Sequence, residues 1–200
     1  MKKLSLAFSS KDRVELTDRS LRRVTGWLNM DVFWNDGSTT DDGRRLHHLY
    51  PNMDVKLRTR VTGGPDRAIV FGLSQVLAQP SYTHVGLLEN DVLLDPDWLE
   101  PTMALFDNPD GLPVGAVSAR SFEDRVLIQR DGYAVMHNVG AGHVIFTREA
   151  AQIILDNYRT GWWPENRAVF SQLSGLDIGK WGAFSFNDQF VTGDWSWDTI

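Results

Sequence analysis

The chain alternates short, uniformly apolar runs with helical periodicities, and that alternation restricts it to a sheet covered on both faces. Leu4-Ser5-Leu6-Ala7-Phe8, Val32-Phe33-Trp34 and Val85-Gly86-Leu87-Leu88 carry apolar residues at successive rather than alternate positions. A strand with one wet face alternates; a strand buried on both faces does not, and such strands belong to mostly parallel sheets layered by helices. Between them, Val14, Leu21, Val24 and Leu28 recur at helical spacing, as do Ile69, Leu73, Val76 and Leu77. Asp12-Arg13-Val14-Glu15 has the form of a capping box, and Asp66 after Gly63-Gly64-Pro65 is placed to cap a helix beginning near Arg67. Asp54 to Arg58 is a further strand, and Trp98 to Phe106 a further helix.

The second half is patterned differently. Val114 to Val117 is an inner strand, and two β-prone runs from Arg125 to Met136 flank Asp131-Gly132, a hairpin signal. His143 to Phe146 is a strand, followed by a helix from Arg148 to Tyr158 that faces Ala151, Ile154 and Leu155 inward. No repeat or linker divides the chain. The expectation is an α/β fold and a single domain over 1–200, with 1–110 as one half and 111–200 as a smaller, hairpin-containing half.

Composition then excludes several chemistries. With no Cys among 200 residues, there is no disulfide scaffold, thiolate zinc site or thiol nucleophile. A net charge of −6 argues against nucleic acid as partner, since a basic face supplies most of that affinity. No apolar run is long enough to span a bilayer, and the Leu4-to-Phe8 run after Lys2-Lys3 is too short for a secretory leader. A cytoplasmic protein is expected.

Chemistry concentrates where the apolar runs stop. In an extended chain, residues i and i+2 share a side. Glu89 and Asp91 are therefore expected to project together from the C-terminal end of their strand, where open α/β sheets form a ligand crevice. They read either as a pair suited to one Mg²⁺ or Mn²⁺ on a diphosphate, or as solvated acids opening a loop. Asp36 and the pair Asp12-Arg13 follow two other strands and should emerge at the same edge. Gly63-Gly64 before a helix adds backbone that can face a phosphate, and Arg67 adds a cation. His137 and His143 flank Gly140-Ala141-Gly142 and are either a third metal ligand or structural residues. His47-His48 beside Arg44-Arg45 read as a solvated face or a phosphate-facing cluster.

These segments together resemble GT-A fold, family 2-like glycosyltransferases. Ser9-Ser10-Lys11-Asp12-Arg13 followed by Asn35-Asp36-Gly37-Ser38-Thr39 is similar to the family's Thr/Asn-Arg stretch and its Asp-Asp-Gly-Ser. Leu87-Leu88-Glu89-Asn90-Asp91 through Asp95-Pro96-Asp97-Trp98-Leu99 resembles its Asp-x-Asp strand and the helix start after it. The resemblance covers roughly 4–160. It implies a nucleotide-sugar donor, a UDP-sugar first, and a saccharide or other hydroxyl acceptor. It implies that Ser9, Ser10, Asp12, Arg13 and Asp36 line the nucleotide, with Arg67 near the phosphates. Asp91 would hold Mn²⁺ or Mg²⁺, with Glu89 reaching the ribose or the metal and Asn90 between them. Asp194, and Asp198 second, fall where the family places its catalytic base in an inverting transfer. Three departures stand out: Glu89 and Asn35 each replace an Asp, and Gly193 replaces the Glu before the base. The resemblance also leads one to expect further chain beyond Ile200. The competing readings are a non-catalytic module that binds nucleotide or glycan, and a nucleotidyltransferase, which would need a basic Gly-rich loop where Ser9-Ser10-Lys11-Asp12-Arg13 has no Gly.

Overall fold

A computed structural model describes residues 3–25, 31–51, 54–57, 64–94, 97–107, 111, 114–118, 126–136, 142–159 and 182–185. The first elements are β1 (Leu4–Ser10), α1 (Val14–Thr25), β2 (Asp31–Asp36), α2 (Asp41–Arg45), β3 (Asp54–Leu57), α3 (Gly64–Leu77) and β4 (His84–Glu89), in the expected order save for the short α2, which the sequence pattern did not indicate. A 3-10 turn over Leu46–Leu49 follows α2. Then come α4 (Leu99–Leu105), β5 (Val114–Ser118), β6 (Val126–Gln129), β7 (Ala134–Met136), β8 (His143–Thr147), α5 (Arg148–Arg159) and β9 (Gly182–Ser185). Among the described residues the strands form one sheet in the order β3-β2-β1-β4-β8-β5-β9-β7-β6. The strands β3, β2, β1 and β4 are mutually parallel. Beyond them β8 runs antiparallel to both β4 and β5, and the second half is mixed. The α/β expectation holds, with its parallel character concentrated in the first half.

Both faces of β1 and β4 are buried, which is why their sequences do not alternate. Ala7, Val85 and Leu87 pack with Leu73 and Val76 of α3 and Ala150 and Ile154 of α5. On the opposite face Leu6, Phe8, Trp34 and Leu88 pack with Leu21 of α1 and with Trp98. Helix α3 lies close to β1 because Gly72 carries no side chain: a Cβ there would stand 2.5 Å from the Ala7 Cβ. The hairpin signal is also met. Gly132 has φ +80 and the Arg130 N–H donates to the Tyr133 carbonyl at 2.9 Å, which closes the turn between β6 and β7.

Two helix starts differ from the sequence pattern. Helix α3 begins at Gly64, so Asp66 lies inside its first turn rather than ahead of it. At α1 the capping box does not form. Asp12 has φ 57, in the left-handed region, and its carboxylate faces the loop after β2. A left-handed Asp is one of the few non-glycine residues this turn tolerates. No helix among the described residues is long and apolar enough to cross a membrane.

Candidate functional site

The C-terminal ends of β1, β2 and β4 meet in register, with Ser9 beside both Asn35 and Glu89. Side chains alternate across this edge, so its two faces carry different groups. On the α1 face Asp36 is 1% exposed, and its carboxylate is occupied by the protein itself. Ser10 Oγ donates to Asp36 Oδ1 at 2.8 Å, Ser38 Oγ at 2.6 Å and the Ser38 N–H at 3.1 Å. His47 Nε2 lies 2.8 Å from the other oxygen, Oδ2. The Trp34 indole N–H in turn donates to Ser10 Oγ at 2.7 Å. Asp36 thus reaches the predicted edge, but as the centre of a closed network that ties β1, β2 and the 3-10 turn together.

Asp12 completes a second link between the same loops. Its Oδ1 accepts the N–H groups of Thr39 at 2.7 Å and Thr40 at 3.0 Å, while the Thr39 hydroxyl donates to Oδ2 at 3.0 Å. Its own N–H donates to Ser38 Oγ at 2.9 Å. The Thr40 N–H is the main reason that this carboxyl titrates below its usual value of 3.8, with the Thr39 contacts adding to it against a burial penalty.

The chain then turns into α1 and carries Arg13 toward β4. One guanidinium nitrogen, NH1, donates to Asp91 Oδ2 at 2.7 Å, with the two side chains 34% and 23% exposed. Asp91 does not continue the strand. β4 ends at Glu89, and a turn in which the Val92 N–H donates to the Glu89 carbonyl at 3.2 Å carries Asn90 and Asp91 toward α1. The strand alternation that would aim Glu89 and Asp91 the same way therefore ends at Glu89. Asn90 is buried and donates from Nδ2 to Thr17 Oγ1 at 2.8 Å. Glu89 is half-buried, and its N–H donates to the Gly142 carbonyl at 2.8 Å.

The structure therefore brings Ser10 to Asp36, Asp12 to the Ser38–Thr40 loop and Arg13 to Asp91, with Ser9 half-buried between the strand ends. Arg67 lies in the first turn of α3, but its side chain is outside the described residues, as are His137, Asp194 and Asp198. His143 is 4% exposed, with its ring edge-on to Trp98 at 4.4 Å, so it belongs to the core. Sequence reasoning missed His47 as a partner of Asp36, although its neighbour His48 is exposed as expected. The available signal was the aromatic shell: Trp34, itself buried, packs edge-on to His47 at 4.8 Å.

Two buried acceptors bear on ligand chemistry. Asn35 is 2% exposed, and among the described residues neither its amide oxygen nor its nitrogen meets a hydrogen-bond partner. Asp91 Oδ1 is likewise buried, without a donor among the described residues. Such orphans are costly and infrequent in folded proteins. Among the described residues no three His, Asp or Glu side chains cluster as a self-sufficient metal site. The set at Asp91 still fits a hard cation of the kind commonly bound by one or two carboxylates, with substrate phosphates and water completing its shell.

Comparisons with known proteins agree with this architecture. The family described as Glycosyl transferase family 2 matches residues 12–169. No curated protein is significantly similar to the chain in sequence. Among solved structures, the mannosyltransferase PcManGT from Pyrobaculum calidifontis, in complex with GDP-Man and Mn²⁺, is 17% identical with a TM-score of 0.66. That match covers 98% of this chain and 58% of the mannosyltransferase. A 1–349 form of S. aureus TarS is 12% identical with a TM-score of 0.65, over 94% of this chain and 59% of that one. Longer S. aureus TarS is 13% identical with a TM-score of 0.66, over 94% of this chain and 36% of that one. At these identities the structures speak to the fold, and this chain spans under two thirds of each relative. The family match runs through β1's exit, the Asp36 loop, β4 and α5, and by it the chain belongs to glycosyl transferase family 2.

Proposed function

We propose that this glycosyltransferase moves a sugar from a nucleoside-diphosphate sugar, a UDP-sugar first, to a hydroxyl acceptor with inversion, assisted by Mn²⁺ or Mg²⁺ at Asp91. The observation that carries the reading is Asp91 itself: a carboxylate in the turn just past a central parallel strand, with one oxygen on Arg13 and the other buried with no donor among the described residues. A divalent cation bound there would neutralise charge developing on the diphosphate leaving group. Asp91 would hold that cation, with Glu89 beside it at the strand end.

The rest of the machinery is the protein's own. Asp36 and Asp12 fix the loops after β1 and β2, so Ser9, Ser10 and the Thr39–Thr40 backbone form a rigid wall for the nucleoside. Arg13 and Arg67 supply positive charge for the phosphates. Proton removal from the acceptor hydroxyl needs a base, and Asp194, with Asp198 second, is proposed for it. The 1–110 half is proposed to bind the donor and the 111–200 half the acceptor.

The test is thermal melting of the protein with UDP-, GDP-, ADP- and TDP-sugars, each with and without Mn²⁺, followed by assay of the released nucleotide. A ligand held only by the native state raises stability by about 2.7 kcal/mol at a hundredfold excess over its Kd. The expected result is a metal-dependent rise with one donor and its turnover. No rise with any donor would refute the reading, and a rise without turnover would replace it with the non-catalytic binding module.

A further inference from the structure

We infer that Arg13 is a positioning residue that makes cation and diphosphate binding interdependent: it holds the Asp91 oxygen a cation needs and gives that oxygen up to the cation when an arriving diphosphate takes the guanidinium. The inference rests on the proposed cation at Asp91 and goes beyond it, because it assigns Arg13 a role in the free protein as well as in the loaded one.

The geometry supplies the competition. The Arg13 guanidinium takes Asp91 Oδ2 at 2.7 Å, while Oδ1 is buried with no donor among the described residues. A cation that approaches Asp91 therefore meets one oxygen already engaged and one closed off from solvent. The pair is within reach of a soluble ligand, since both side chains keep part of their surface exposed. Among the described residues Asp91 is the acceptor found for this guanidinium, and a planar guanidinium has five N–H donors in a fork that matches phosphate oxygens. A diphosphate beside Asp91 thus offers Arg13 more acceptors than it has. Transfer of Arg13 to the phosphate frees Oδ2, and a cation at Oδ2 frees Arg13. By linkage each ligand then raises the other's affinity by the same factor. Arg13 anchors the start of α1 through its backbone, whose carbonyl accepts the Thr17 N–H at 2.9 Å, so changing the side chain leaves that anchor in place.

The experiment measures Mn²⁺ binding alone, by the electron paramagnetic resonance signal of free Mn²⁺, and then UDP and GDP binding at saturating Mn²⁺. Circular dichroism and melting confirm that each variant is folded. Arg13→Met should bind Mn²⁺ alone roughly two- to fivefold more tightly, the range of a partly exposed ion pair, yet bind the nucleotide more weakly. A merely structural lesion weakens both, so opposite signs are the signature. Arg13→Lys keeps the charge without the fork; it should restore the weaker Mn²⁺ binding but not the nucleotide affinity. Mn²⁺ affinity that is unchanged or lower in Arg13→Met overturns the inference while leaving the cation assignment standing. Wild-type Mn²⁺ affinity in Asp91→Asn would instead remove the cation assignment itself.

Discussion

Folding stability should fall on mild acidification through His143. The ring sits in β8 against Trp98, and burial pushes its pKa from 6.5 down to about 3. The folded protein keeps it neutral over a range in which the unfolded chain takes up a proton. A depressed folded pKa gives a contribution that is complete above the unfolded value and lost as pH falls from 6.5 toward 3. The slope approaches about 1.4 kcal/mol per pH unit. Integrated between about pH 7 and pH 5, this comes to about 2 kcal/mol. His143→Phe keeps an aromatic ring against Trp98 and removes the titration. Urea denaturation of both proteins at the two pH values isolates the term, because the two proteins share every other titratable group. The native protein should lose about 2 kcal/mol more than the variant over this interval. Equal losses would show that the ring is hydrated or protonated in the fold, and would refute its burial as the source of acid sensitivity.

Asp36→Ala strands the Ser38 N–H, the Ser10 and Ser38 hydroxyls and His47 in a buried site, and should cost about 3–5 kcal/mol in urea denaturation. A loss under about 1 kcal/mol would mean the network is not closed as described. At Asp12 the carboxyl titrates below 3.8, so its contribution is present above that value and disappears as pH falls through the lower folded pKa. Asp12→Asn, which tolerates the left-handed backbone and keeps an acceptor for Thr39 and Thr40, should therefore be slightly less stable at neutral pH and converge with the native protein in acid. Asp12→Ala should be worse than Asn at every pH, since alanine adds backbone strain at φ 57.

What could be read from the residues alone followed their range of interaction. The runs at Leu4, Val32 and Val85 revealed buried parallel strands because burial on two faces leaves a mark in every successive residue. The hairpin at Asp131-Gly132 was equally local. The site was harder, because an acid at a strand end looks the same whether it faces a ligand or the protein. Asp12 has the local spacing of a helix cap, yet its partners Thr39 and Thr40 are far along the chain and win it away from α1. Asp36 was expected at the sheet edge and is there, but Ser10, Ser38 and His47 close over it. The shared direction expected for Glu89 and Asp91 assumed that the strand went on, whereas β4 ends at Glu89 and a turn closed by the Val92 N–H carries Asp91. Arg13 beside Asp91 joins the chain's first loop to its fourth strand, a proximity that only the β1–β4 pairing creates.

The placement of β8 makes the two halves inseparable in practice. Although the parallel strands β1 to β4 come first in the chain, the outer edge of β4 is filled by a strand from the other half, with Val85 opposite Phe146 and Leu87 opposite Val144. A fragment ending near residue 110 would carry β1 to β4 intact and leave that edge bare, with its backbone amides and carbonyls unmatched over a mainly apolar strand. Bare edges of this kind recruit other chains, so such a truncation is expected to aggregate rather than yield a free nucleotide-binding module. During synthesis the same edge stays open until residues 143–147 have emerged, which makes the wait for β8 the interval in which the nascent protein is most exposed to misassembly.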